Sequence, residues 1–340
     1  MFYLLASILT FIFIIFFSYL SPFFKLLDIP NTRKLHKGSV PLVGGISIYF
    51  SILITSFLID LNYSLLVIIL SAGIILVLGV LDDAFELGIV IRLISQLIAG
   101  LVVVGAGISI VDVGDYYYFP PIELGILGIL LTIVSVMGLT NAINFIDGID
   151  GLCSGLVLIA LITLICFIYF SGNNINISVI NTLSICIVIF LLINMGVTPI
   201  RKVFLGDAGS MVLGFILSWM LIYYSHPTVR QIHPVLTLWC VPIPIFDLLG
   251  VIIRRLIRKI NPFRSDRRHI HHILLDLGLT PMKVLLIILT FSIIISSIGG
   301  AVYFIYGPLP ALLSYFILFA IYVYISLLLS RHIFSRNAYK

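Results

Sequence analysis

Charge is what this chain has least of. Asp, Glu, Lys and Arg supply 10% of its 340 residues, against about 25% in ordinary globular proteins. That leaves too little polar surface to coat a soluble domain, and the longest polar stretch, 254–282, is too short to form one. Cysteine is scarce as well. Cys153, Cys166, Cys186 and Cys240 show no CxxC or other ligand spacing, so they read as small packing residues and not as disulfides or a zinc site. A Walker A sequence is missing. Gly105-Ala-Gly107 lacks the third glycine of a dinucleotide loop and reads as helix packing, as does Gly151-Leu-Cys-Ser-Gly155. With low charge and ordinary Gly (26) and Pro (14), disorder, coiled coil and collagen are excluded too.

Apolar residues are abundant, at 61% of the chain with a mean hydropathy of +1.26. A bilayer core about 30 Å thick is crossed by roughly 20 apolar residues in a helix. Runs near that length recur at 3–24, 44–60, 65–81, 92–111, 122–140, 152–171, 178–197, 208–225, 234–253, 283–305 and 309–330. They predict an all-α, polytopic integral membrane protein with about 10–11 transmembrane helices. Ten-residue alternating segments, the mark of a barrel, do not occur. The first run has neither a basic start nor an A-x-A site, so a cleaved signal peptide is not expected. No internal repeat is evident, and residues 1–340 are expected to form one transmembrane domain.

Placing the N-terminus outside and the C-terminus in the cytoplasm puts 18 of the 19 Lys and Arg on inner loops and helix ends, with Arg230 the exception. That partition satisfies the positive-inside rule. The inner loops lie near 25–43, 82–92, 141–151, 198–207 and 254–282, and the same split puts ten of the fourteen acids on the inner side, Asp247 among them. The outer loops are short and show no cluster of ionisable groups in sequence, which places the chemistry on the cytoplasmic face.

Acids near membrane depth are costly and usually functional. Asp82 and Asp83 end an apolar run, where a helix C-terminus disfavours negative charge, so capping does not account for them. In Asn141-Ala-Ile-Asn144-Phe-Ile-Asp147-Gly-Ile-Asp150 the polar side chains step by three, which on a helix would share one face. Their hard oxygens suit Mg²⁺ or Mn²⁺. Asp207 opens the 208–225 run as a helix cap or, with Arg201 and Lys202 before it, as part of a site for metal-bound phosphate. The segment RRLIRKINPFRSDRRHIHH suits anionic lipid or phosphate, with zinc at His269, His271 and His272 ranked low. Asp247, within an apolar run, is expected to brace this loop by pairing with one of its cations.

DIPNTRKLHKGSVPLVGG (28–45), LDD (81–83), NAINFIDGIDGL (141–152), VFLGDAGS (203–210) and PFRSDRRHIHH (262–272) stand in this order, each on a predicted inner loop. Together they resemble the motifs of the polyprenyl-phosphate N-acetylhexosamine-1-phosphate transferases. The HIHH ending is similar to the WecA/TagO branch, which makes the first lipid-linked sugar of O-antigen, common antigen or teichoic acid. It differs from the three consecutive histidines of the MraY branch. The resemblance implies a bacterial cytoplasmic-membrane enzyme that transfers N-acetylhexosamine 1-phosphate from a UDP-N-acetylhexosamine to undecaprenyl phosphate, releasing UMP. It also implies site roles. Asp82 and Asp83 would act on the lipid phosphate, and Asn144 and Asp207 would hold Mg²⁺ or Mn²⁺. Lys37, Asp150 and Phe204 would bind the nucleotide, with Phe204 stacked on uracil. Arg92, Arg267, Arg268, His269, His271 and His272 would meet phosphate and sugar, with Asp147 and Asp247 in support. Its partners would be the two substrates and the bilayer, with no nucleic acid, and a homodimer stays open. Two other readings stand beside it: phospho-muramyl-pentapeptide transfer, and secondary transport of an anionic solute.

Overall fold

The computed structural model describes residues 2–29, 38–59, 61–116, 120–173, 177–257, 259, 261 and 269–337. Its order is α1 (Phe2–Leu20), β1 (Leu27–Asp28), β2 (Val40–Pro41), α2 (Gly44–Ser56), α3 (Tyr63–Phe85), α4 (Ile89–Gly105) and α5 (Ile126–Ile146). Then come α6 (Leu152–Phe170), α7 (Ser178–Asn194), α8 (Gly206–Ser225), α9 (Pro234–Cys240), α10 (Pro242–Ile257), α11 (Ile270–Asp276), α12 (Pro281–Tyr306) and α13 (Pro308–Asn337). Each of the eleven apolar runs is helical. Among the described residues seven helices are long and apolar enough to span, or eight if the α9–α10 pair, bent by 81°, is one broken span. The apolar helices α2, α4 and α7 are shorter, at 13, 17 and 17 residues. The chain is therefore a multi-pass, all-α membrane protein.

Helix α8 is the centre. Its apolar residues run all round its circumference, and nearly every side chain from Gly206 to Tyr224 is buried, as expected of a helix enclosed by others. Small residues let its neighbours come close. A Cβ on Gly45 of α2 would lie 2.0 Å from the Gly209 Cα, and one on Gly79 of α3 would lie 2.4 Å from the Ala208 Cα. Helix α5 meets α8 where Gly214 faces Thr140. The buried hydroxyls of α2 need no outside partner, because Ser47, Ser51, Thr55 and Ser56 each donate to the carbonyl four residues back.

The bend between α9 and α10 follows from Pro242 and Pro244, whose missing N–H groups and ring bulk prevent a straight helix. Gly105 and Gly107 do not pack against a neighbour. Gly107 takes a positive φ of 88° just past α4, its N–H bonded to Val104 O and that of Ile108 to Val103 O. This is a helix-ending turn. The pair is a stop signal and not the packing element its sequence suggests.

Strands β1 and β2 pair antiparallel, and the chain then runs beside Phe204. Phe204 N–H donates to Pro41 O, while Gly44 and Gly45 donate to the Phe204 and Leu205 carbonyls. The first amides of α2 thus find partners in the turn that opens α8. This fixes the 203–207 segment at one end of the bundle.

Candidate active site

The C-termini of α3, α5 and α7 and the N-termini of α2, α4, α6 and α8 meet there. Asp82 and Asp83 lie in the last turn of α3. Asp82 is buried, and its Oδ1 accepts the Leu87 N–H at 2.7 Å as the chain turns through Glu86 at φ 51°. Arg92, in the first turn of α4, returns over it. Its Nε lies 2.5 Å from Asp82 Oδ2 and its Nη2 lies 3.2 Å from Asp207 Oδ2. The first approach is a Coulombic pair without hydrogen-bond alignment. Arg92 therefore bridges two carboxylates that would otherwise repel one another.

Asp83 does what its sequence position hides. Its Oδ1 accepts Asp207 N–H at 2.8 Å and its Oδ2 accepts Ala208 N–H at 3.1 Å. It caps the N-terminus of α8, where a carboxylate is favoured by exposed amides and by the helix dipole. Capping thus accounts for part of Asp83's presence after all, through a helix 124 residues away. Gly206 makes this possible. It sits at φ +77°, and a Cβ there would come within 2.7 Å of Asp83 Oδ2.

Asn144 in the last turn of α5 donates from Nδ2 to Asp207 Oδ1 at 3.1 Å and to Ser210 Oγ at 2.9 Å. The three-residue step does not put four side chains on one face. Asn141 turns instead to Gln96 of α4, with Nδ2 2.8 Å from Oε1, and α5 ends before Asp147 and Asp150. Asp147 is exposed just past the end of α5. Loss of hydration first, and then the carboxylates of Asp207, Asp83 and Asp150, push its pKa up. Asp150 pairs with Lys202, whose Nζ also lies 5.2 Å from the Phe204 ring centroid.

The histidines sort by depth. His269, just before α11, places Nδ1 2.7 Å from Asp247 Oδ2 and its ring 5.4 Å from that of Phe145. Asp247 thus does engage this loop, through a histidine. His271 is fully buried, and a Cβ on Gly148 would come 2.3 Å from its Nε2. Burial, then the charge of His272, push its pKa down to about 3, so it stays neutral. It packs beneath the 147–151 turn, with the His272 ring 4.1 Å away. Lys37, Arg267 and Arg268 fall outside the described residues.

Two residues that hold the site together escape a motif reading. Buried Asn194 accepts Gly151 N–H at 2.8 Å and donates to Val203 O at 2.9 Å. It locks the two motif loops together. Gln96, with no exposed surface, anchors Asn141. The only available signal was a lone amide in an apolar run. The far end of the bundle also corrects the sequence view, because its ionisable groups do cluster. Arg230 meets Asp112 at 2.6 Å, and His233 lies 3.7 Å from Asp115 in a pocket shared with Tyr303. They come from separate loops, so no run of sequence displays them.

Asp82, Asp83, Asp147, Asp150 and Asp207 outweigh Arg92 and Lys202. Hard oxygens with excess negative charge fit a divalent cation such as Mg²⁺. No ready-made cage of three or more Asp, Glu, His or Cys exists among the described residues. Asp207 and the Asn144 amide oxygen are the groups here that could contribute to holding such an ion.

Membrane-length helices with carboxylates gathered at one end of the bundle define a multi-pass integral membrane protein. The glycosyl transferase family 4 model matches residues 65–225. Undecaprenyl-phosphate alpha-N-acetylglucosaminyl 1-phosphate transferase of Escherichia coli K12 is 33% identical over 277 residues, 81% of this chain and 76% of that protein. The protein of that name from Salmonella typhi is 34% identical over 279 residues, covering 81% and 76%. That from Haemophilus influenzae is 33% identical over 306 residues, covering 88% and 86%. The chain belongs to glycosyl transferase family 4.

Proposed function

We propose that this protein transfers N-acetylglucosamine 1-phosphate from UDP-N-acetylglucosamine to undecaprenyl phosphate and so initiates a cell-envelope polysaccharide. It does so as one transmembrane unit in the bacterial cytoplasmic membrane. The observation that carries this reading is the convergence of Asp82, Asp83, Arg92, Asn144, Asp147 and Asp207 at a single bundle end. A water-borne nucleotide and a lipid-borne phosphate can meet only at such a boundary. The names of the relatives support the same substrates.

In the reaction an oxygen of the lipid phosphate attacks the β-phosphorus of the donor. The bond from that phosphorus to the bridging oxygen breaks, and UMP leaves with the electron pair. Asp83 is the nearer candidate to accept or direct the lipid-phosphate proton. Each carboxylate oxygen has a second lone pair beyond the one its backbone amide uses. Asp82 serves by fixing Arg92, whose guanidinium offsets phosphate charge. Asp150 and Phe204 receive uracil, with Lys202 moving off both as it enters. A bound Mg²⁺ or Mn²⁺ would supply charge neutralisation between the two phosphate groups. His269, Arg267 and Arg268 would grip the donor's diphosphate, Lys37 the nucleotide, and Asp247 would support the His269 loop.

Secondary transport is separated by one test. Membranes given radiolabelled UMP and unlabelled UDP-N-acetylglucosamine, with undecaprenyl phosphate present, should build label into the UDP-sugar by reversal of the reaction. Vesicle uptake of the UDP-sugar without exchange would overturn the transferase reading. Orientation is tested separately. With the site facing the cytoplasm, reporters fused after residue 150 should be cytoplasmic and those after residue 230 outside. An outside report at 150 would overturn the assignment.

A further inference from the structure

The far end of the bundle holds an open cleft that the transfer reaction does not use. Its volume is about 410 Å³, within the roughly 300–1,000 Å³ of small-ligand sites. Arg230, the one Lys or Arg that the sequence assigns to this side, stands there with Asp112 and Asp115. Their charges do not cancel. Arg230 Nη2 lies 2.6 Å from Asp112 Oδ2, and that pair is neutral as a whole. Asp115 has no such cation among the described residues. Its basic neighbour is His233, whose Nδ1 accepts Val235 N–H at 3.1 Å. The ring proton therefore sits on Nε2, 3.0 Å from the Asp115 carbonyl, and a ring that accepts at one nitrogen is uncharged. The Asp115 carboxylate, 66% exposed, leaves the cleft with one unmatched negative charge.

A second acceptor waits beside it. Gln231 lines the cleft with its side chain nine-tenths buried, and its Oε1 has no partner among the described residues. Buried acceptors are seldom left so. Tyr303 forms another wall, its ring 5.7 Å from that of His233. A carboxylate, an open amide oxygen and an aromatic ring together suit a protonated amine, which brings both positive charge and N–H donors.

Position narrows the source of that amine. Ser171 and Tyr303, both on the cleft wall, are each next in sequence to an outward phenylalanine. Phe170 is 67% exposed and Phe304 40%, with their rings 5.8 Å apart. Outward aromatics at the ends of α6 and α12 mark the depth of lipid headgroups. Arg230 spends one donor on Asp112 and keeps others for a phosphate oxygen.

We propose that this cleft binds the phosphoethanolamine headgroup of a phospholipid, in the leaflet opposite the reaction. The ammonium meets Asp115 and Gln231, and the phosphodiester meets Arg230. Phosphatidylglycerol would bring only negative charge toward Asp115, and phosphatidylcholine a cation with no N–H to donate.

The test counts lipids held by the purified full chain, by native mass spectrometry after equilibration in nanodiscs of equal phosphatidylethanolamine, phosphatidylcholine and phosphatidylglycerol. The wild type should retain one phosphatidylethanolamine in preference to the other two. Asp115→Asn should weaken that retention about tenfold, the worth of a charge-assisted contact over a neutral one. Its UMP exchange should stay at the wild-type level, since Asp115 lies at the other end from the reaction. Asp115→Arg should reverse the preference toward phosphatidylglycerol, a change that mere loss of packing would not produce. Gln231→Leu should weaken retention severalfold without reversing it. Free phosphoethanolamine, equimolar with the lipid, should not displace it. Equal retention of the three lipids by the wild type, or a preference that survives both Asp115 substitutions, overturns the proposal. Displacement by equimolar free phosphoethanolamine overturns the lipid as its source.

Discussion

Asp83→Asn should lower kcat by roughly a hundred- to ten-thousand-fold, the range over which a positioned proton acceptor contributes. Substitution by the amide does two kinds of damage. It removes the acceptor that receives or directs the lipid-phosphate proton. It also turns an –NH₂ group toward one of the backbone amides of Asp207 and Ala208, donor against donor, because the native carboxylate accepts from both. The second effect destabilises the α8 N-terminus by about 1–3 kcal/mol, since a charged acceptor is lost from a helix cap. Steady-state kinetics at saturating substrates, with thermal melting of the same sample, separate the two. A fall in kcat far larger than the loss of stability explains marks Asp83 as part of the chemistry. Melting that drops while kcat holds would reduce it to a cap of α8.

The second large effect is expected at Asp207. Its Oδ1 takes the Asn144 amide and its Oδ2 faces Arg92, so it stands between a neutral donor and a cation. Asp207→Asn removes the one carboxylate shared by both neighbours. Turnover should fall at least a hundredfold, on the scale of losing about 3 kcal/mol of transition-state charge stabilisation. Chelation of the wild type with EDTA should abolish turnover, and Mg²⁺ or Mn²⁺ should restore it. In Asp207→Asn the concentration of metal needed for half-restoration should rise as well. Turnover that survives EDTA would exclude a divalent ion from the reaction, and a normal metal requirement in Asp207→Asn would place the ion elsewhere.

Much of the architecture is legible in the residues, because helices in lipid must satisfy their backbone internally and stay apolar for about 20 residues. That constraint marks all eleven runs, even though α2, α4 and α7 are shorter than a full span. The site's carboxylates were legible for a related reason, since acids beside membrane-length runs are costly unless they serve. Their arrangement was not. Nothing near Asp83 in sequence reveals that its partners are the amides of Asp207 and Ala208, and nothing near Gly151 points to Asn194. The Arg230–Asp112 pair at the other end was hidden likewise, its members lying 118 residues apart. Periodicity reports which face of a helix is apolar. It carries no information on which helix ends will meet. His271 shows the same limit at close range. It sits in a motif that invites a ligand role, yet its burial against Gly148 leaves it neutral and enclosed.

A sugar phosphate, and not a sugar, should move to the lipid. The most direct measurement is mass spectrometry of the lipid and nucleotide products. The purified chain is reconstituted with undecaprenyl phosphate, Mg²⁺ and UDP-N-acetylglucosamine as sole donor. A lipid heavier by one N-acetylglucosamine and one phosphate should form mole for mole with UMP. A lipid that gains the sugar without a second phosphate, with UDP released, would contradict it.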